Sequence, residues 1–248
     1  MRSRQHSDRP DHGEVSRREV LALLGGAGAA ALAGCRLAEA QGAARLDCVV
    51  TPAQTEGPYF VDERLNRADL RLDPVTNAVK EGLPLRLRIN VSRVDGAACT
   101  PIHGAMVDVW QCDALGVYSD VRDFNGRFDT RGEKFLRGYQ MTNGRGTADF
   151  LTIYPGWYSG RTVHIHFKVR VPADSGRAHE FTSQLYFEEA ITDRVHALPP
   201  YNAKGMRDTR NDQDGIYRAR NSGSQLLLDL SQEAEGYAGA IAVGLRMT

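Results

Sequence analysis

The chain has 248 residues, with 31 Lys and Arg balancing 31 Asp and Glu, and 42% of its residues are hydrophobic. A neutral balance argues against a nucleic-acid binder, which carries a basic excess, and the composition excludes a wholly disordered chain. The length allows one large or two small domains, and four cysteines are too few for a disulfide-dense scaffold.

Residues 1–19 are polar and carry Arg2, Arg4, Arg9, Arg17 and Arg18, and the 14 residues 20–33 carry no charge. That Gly/Ala-rich run is too short to span a membrane. A charged head before a short apolar run reads as an export signal rather than a buried Ala-rich helix. Arg17-Arg18 resembles the twin-arginine signal. Leu32-Ala33-Gly34-Cys35 resembles a bacterial lipoprotein cleavage box, with Cys35 as the lipidated residue; cleavage after Ala38-Glu39-Ala40 is the other option. The expected organisation is a signal over 1–34, a tether over 35–50 and one domain over 51–248. The expected location is the periplasm or cell envelope, with a lipid anchor through Cys35. One disulfide among Cys48, Cys99 and Cys112 fits such a compartment.

Residues 83–94 alternate, with Leu83, Leu85, Leu87, Ile89 and Val91 opposite Arg86, Arg88, Asn90 and Ser92, the mark of a half-buried strand. A turn follows at Asp95-Gly96, and residues 105–111 form the next strand, running into a loop over 112–121. Turn signals recur at Asn125-Gly126, Arg131-Gly132 and Asn143-Gly144 with short apolar stretches between them. Residues 183–187 are a late strand, 188–220 are polar and loop-like, and 224–230 suit a strand or a short helix. This rhythm predicts an all-β antiparallel sandwich with long loops. Asn90-Val91-Ser92 is a glycosylation sequon by chance, inside a strand. Asp212-Gln213-Asp214-Gly215 suggests a calcium loop, but Arg210 and Asn221 stand where that loop needs acidic ligands.

The stretch 154–171 carries the chemistry. Val163, Ile165, Phe167, Val169 and Val171 share one strand face, and His164, His166, Lys168 and Arg170 share the other. Neighbouring imidazoles on one face can share a metal ion, although an isolated His-x-His also suits a solvated face. Acidic residues are scarce here, whereas Tyr154 and Tyr158 lie just upstream and Tyr118 in the earlier loop. Each tyrosine alone reads equally well as packing at a strand end. A phenol titrates near 10, so only a strongly Lewis-acidic cation keeps it ionised at neutral pH. Two histidines with two tyrosines therefore suit ferric iron better than zinc.

Five segments in register resemble the intradiol ring-cleavage dioxygenases, the family of protocatechuate 3,4-dioxygenase and catechol 1,2-dioxygenase. They are residues 51–60, 107–118, 154–158, 161–167 and 183–187, within a resemblance covering roughly 51–220. The resemblance implies one Fe(III) per chain, held by Tyr158, Tyr118, His164 and His166. It implies that Arg161 faces the organic substrate, that Gln184 lies near the oxygen site, and that Gly57, Pro58 and Tyr59 line the pocket. Its partners are a small aromatic diol and O2, with no nucleic acid, and its product is a cis,cis-muconate. Tyr158 then serves as a base as well as a ligand, and Arg161 stabilises negative charge on the ring. Only residues 159–163 separate Tyr158 from His164, and 36–50 hold no counterpart of the catechol-type dimerisation helices, so substrate choice and oligomeric state stay open. Thr162 stands where the family often has Pro. Strand parity puts Arg161 opposite the histidines unless the chain is irregular before them, as Gly160 permits. The rival readings are an exported, non-catalytic transthyretin-like binding module and a zinc hydrolase using His164, His166 and a carboxylate.

Overall fold

Period-two alternation builds the first strand, β1 (Pro84–Asp95), which buries Leu85, Leu87, Ile89 and Val91 and exposes Arg86 and Arg88. The computed structural model describes residues 49–172 and 178–247. The export signal, Cys35 and most of the tether lie outside the described residues.

Eight further strands follow: β2 (Ala98–Pro101), β3 (Met106–Trp110), β4 (Arg137–Met141), β5 (Thr147–Ile153), β6 (His164–Val171), β7 (His179–Tyr186), β8 (Asp229–Glu233) and β9 (Gly236–Leu245). One sheet is antiparallel throughout, in the order β4-β3-β6-β7. In the other, β1 is flanked by β2 and β5 on one side and β9 on the other, with β8 beyond. The two sheets enclose one core that includes Leu85, Ile89, Phe150, Ile165, Phe167 and Ile241. The fold is the all-β sandwich expected, with one parallel pairing: β9 runs alongside β1 from Leu85↔Tyr237 to Arg93↔Leu245. The Gly/Ala-rich sequence of β9 carries few of the β-branched and aromatic residues that signal a strand.

The segment 188–220 is more regular than its polarity suggests. It holds α1 (Glu189–His196), a 3-10 turn at Tyr201–Lys204 and the short helix α2 (Gly215–Arg218). In α1 the buried side chains are Thr192 and Val195, too few to make a visible apolar stripe. Residues 224–230 divide between a 3-10 turn, Gly223–Leu226, and the start of β8. Cys99 is disulfide-bonded, and Cys112 is a buried free thiol.

Both faces of β6 are buried. The face expected to be polar is roofed by a second apolar cluster of Tyr59, Trp110, Cys112 and Tyr118, with Phe60, Phe128 and Tyr158 packed on it. The roof is locked where two loops meet backbone to backbone. Gly156 N donates to Asp113 O at 3.1 Å, and a Cβ on Gly156 would stand 2.3 Å from Ala114 O. Gly156→Ala is therefore expected to cost about 1–3 kcal/mol of overpacking, or several degrees in Tm for a domain of this size. Gly144→Ala, where a Cβ meets nothing within 4 Å, is the control. Equal melting temperatures for the two variants would contradict this account.

Candidate active site

The register of β6 sets His166 between Trp110 of β3 and Gln184 of β7, and His164 beside Tyr186. The two Nε2 atoms stand 3.1 Å apart. His164 Nδ1 lies 2.6 Å from the Thr162 carbonyl oxygen. A carbonyl only accepts, so Nδ1 carries the proton and Nε2 presents its lone pair to the site. His166 stacks on Trp110, with centroids 5.0 Å apart and planes 7° apart. Burial lowers both imidazole pKa values well below the usual range, and Arg161 adds to this at both; His164 also does so at His166. Both rings are therefore neutral, as metal ligands must be.

Two phenols approach the same point. Tyr158 Oη is 3.1 Å from His164 Nε2. Tyr118 is fully buried, and its ring lies 5.8 Å from that of Tyr158 and 6.3 Å from that of His166. Its hydroxyl takes no hydrogen-bond partner among the described residues. Burial pushes both phenols well above their ordinary range; negative charge on Tyr158 reinforces this at Tyr118, while Arg161 opposes it at Tyr158. A buried hydroxyl without a partner costs about 1–3 kcal/mol. A cation among the four atoms would give the Tyr118 oxygen a partner. The donor set of two neutral nitrogens and two hard oxygens fits ferric iron. No cluster of three or more His, Cys, Asp or Glu that could hold a metal occurs among the described residues. Tyr154 is elsewhere: its Oη contacts Thr192 Oγ1 at 2.7 Å and its ring packs 4.3 Å from that of Phe187.

The chain is irregular before β6, with Gly160 at φ 84°. Arg161 turns toward the site side, where its Nη2 donates to Gln184 Oε1 at 2.6 Å and its Nε to Asp214 Oδ2 at 2.7 Å. Gln184 is fully buried and donates to Thr55 O at 2.9 Å. Tyr186 Oη donates to Gln54 Oε1 and, more weakly, to Gln184 Oε1. Pro58 and Tyr59 form a turn beside the imidazoles, and the Cβ position of Gly57 is 3.2 Å from His166 Cε1. The Tyr59 ring stacks 4.6 Å from Tyr118, and its hydroxyl donates to Asp123 Oδ1 at 2.7 Å. Burial and that carboxylate push the Tyr59 phenol up to about 12.

Three contributors were not singled out from the sequence. Arg137, 3% exposed, donates to Ser119 Oγ and to the carbonyls of Tyr59 and Ser119, tying the two tyrosine loops together. Asp123 anchors Tyr59. Asp214, rejected as part of a calcium loop, is the N-cap of α2, and an Asp before a short Gly-Ile-Tyr run was the signal for it.

A sandwich carrying this buried pair of histidines and pair of tyrosines defines a class, and comparison with known proteins supplies the family. A family profile described as "Dioxygenase" matches residues 55–197. The chain belongs to the intradiol ring-cleavage dioxygenase family. It is 38% identical over 125 residues to the protocatechuate 3,4-dioxygenase beta chain of Burkholderia cepacia, covering 46% of this chain and 51% of that protein. It is 31% identical over 171 residues to a chlorocatechol 1,2-dioxygenase of Cupriavidus pinatubonensis, covering 60% of each. The chain thus spans about half the length of the first of these relatives and 60% of the second. An intradiol ring-cleavage dioxygenase from Tetranychus urticae superposes with a TM-score of 0.68 at 28% identity, covering 80% of this chain and 95% of that one. The dioxygenase domain of a carbohydrate-binding fusion protein from Streptomyces sp. SirexAA-E gives 0.56 at 29% identity, covering 81% and 100%.

The buried imidazoles make a pH prediction for metal-free protein. Their folded pKa values are lowered, so the unfolded chain, titrating near 6.5, takes up protons first. Their contribution to stability is full above pH 6.5 and is lost as the pH falls below it, at about 1.4 kcal/mol per pH unit for each histidine. Denaturant titrations at about pH 7.5 and 5.5 should show a larger loss for wild type than for His164→Gln/His166→Gln. Equal losses would mean that the rings are solvated.

Proposed function

We propose that the protein is a non-haem ferric dioxygenase that opens the ring of a catechol-type diol between its two hydroxylated carbons. Both atoms of O2 enter the product, a cis,cis-muconate. The observation that carries this reading is the convergence of His164, His166, Tyr158 and the unpartnered Tyr118 hydroxyl at one buried point. These four side chains would hold one Fe(III) per chain. The chemistry the metal supplies is Lewis acidity, which keeps the tyrosines and the diol ionised and draws electron density from the ring so that O2 can add to it.

The chain's own residues bind, orient and move protons. His164 is fixed in orientation and tautomer by the Thr162 carbonyl, and His166 in orientation by its stack on Trp110. Tyr158, the less buried of the two phenols, takes a proton from the entering diol at its phenol oxygen, as a general base. Arg161 supplies positive charge where the diol becomes anionic, and Gln184 holds one arm of its fork. Gly57, Pro58 and Tyr59 form the wall, and the rings of Tyr59, stacked on Tyr118, and Trp110, stacked on His166, keep water from the site. A non-catalytic binding module leaves the buried imidazole pair and the orphaned phenol without a purpose.

Iron-loaded protein should be red-brown from tyrosinate-to-iron charge transfer and should consume O2 with at least one of catechol, protocatechuate or hydroxyquinol. Tyr118→Phe and Tyr158→Phe should each bleach or shift the visible band, and Tyr154→Phe should leave it. Colourless protein that binds zinc alone and takes up no O2 would defeat the reading.

For location, the Arg17-Arg18 pair and the Cys35 box support export with a lipid anchor, and the disulfide at Cys99 supports an oxidising compartment. Replacing Arg17 and Arg18 by lysine should trap precursor in the cytoplasm, and Cys35→Ser should abolish lipid labelling. Lipid labelling of Cys35→Ser at the wild-type level would sink the anchor.

A further inference from the structure

A long cation on an irregular segment has no inherent reason to face a buried site rather than water. Arg161 lies in such a segment, three residues before His164, with the chain bent at Gly160. Two acceptors decide its direction. Gln184 Oε1 takes Nη2, and Asp214 Oδ2 takes Nε at 2.7 Å. Asp214 is 1% exposed and is itself immobilised. Its Oδ2 also accepts from Thr162 N at 2.8 Å, and its Oδ1 accepts from Ile216 N at 2.7 Å and Tyr217 N at 3.0 Å. The carboxylate thus grips the Arg161 side chain, the backbone that follows it and the start of α2 together. With Nε and Nη2 both engaged, the guanidinium is held in one orientation.

We propose that Asp214 is the positioning residue that aims Arg161 at the anionic ring of the organic substrate, a role that rests on the ring-cleavage reading. The carboxylate touches no reacting atom; it fixes where the guanidinium charge stands. Asp214→Asn is the informative change, because Oδ1 can still cap α2 while an amide in place of Oδ2 opposes the Arg161 Nε–H. Asp214→Ser also keeps a helix cap and serves if the asparagine variant does not fold.

The experiment is a double-mutant cycle on iron-loaded full-length protein, with Arg161→Ala, Asp214→Asn and the double variant, reading kcat and KM for the best substrate of the panel. Iron content and the visible band should match wild type in all three. Asp214→Asn should lower kcat/KM by about 10- to 100-fold, the loss expected when a charge-assisted hydrogen bond is removed. In the Arg161→Ala background the same change should have almost no effect. An equal loss in both backgrounds, or no loss in either, overturns the proposal while leaving the functional reading intact. Wild-type protein that holds iron yet cleaves no diol overturns both.

Discussion

The site depends on β6 being covered on both faces. One face packs into the core between the sheets through Ile165, Phe167 and Val169, and the other carries His164 and His166 under a roof of aromatic rings. Only a strand dry on both sides holds two imidazoles neutral and nearly in contact. On a solvated face the same pair would be hydrated, separately oriented and protonated in mild acid. The roof requires chain from elsewhere, so the segments bearing Tyr59, Tyr118 and Tyr158 must be brought to β6 and kept there. Arg137 ties the first two together, and the backbone contact at Gly156 joins the second to the third.

That arrangement explains the division of labour among the polar groups. The residues that converge at the centre are short of partners, as the Tyr118 hydroxyl shows. Those around it are fully engaged. Gln184 is held by Thr55 and Tyr186, Tyr59 by Asp123, and Arg161 by Asp214 and Gln184. Unsatisfied groups at the centre and satisfied groups in the surround are what a pocket needs if it is to take a ligand without rearranging.

The histidine pair and the sandwich were legible because both rest on period-two alternation, which survives without any knowledge of neighbours. The roof was not legible from β6. Lys168 and Arg170 read as solvent-facing, yet Lys168 is 8% exposed, stands 4.2 Å over the Phe60 ring and pairs with Glu56. A cation's surroundings come from tertiary contacts, and local pattern is silent on them. The strand β9 was missed for the opposite reason. Gly and Ala carry little strand preference alone, and here they are selected by close packing: the Cβ position of Gly239 lies 2.8 Å from a methyl of Leu230. Asp214 shows a third kind of failure. An Asp before Gly suits a calcium loop and a helix cap alike, and only the backbone N–H groups of Ile216 and Tyr217 that it accepts from decide between them.

The parallel pairing of β1 with β9 bears on how the molecule is made. Leu85 meets Tyr237, so the first sheet gains its long central pairing only after nearly all of the domain has been synthesised. Until then β1 can pair with β2 and β5, which are local, while its other edge stays open. Such non-local closure slows folding and leaves an unpaired edge exposed to other chains in the meantime. The arginines at positions 86, 88 and 93 along β1 are exposed in the finished sheet. Arg88 finds Asp149 in the local β5 pairing, whereas Arg86 reaches Glu233 only when β8 arrives, so the charge of Arg86 stays without its partner until the sheet closes.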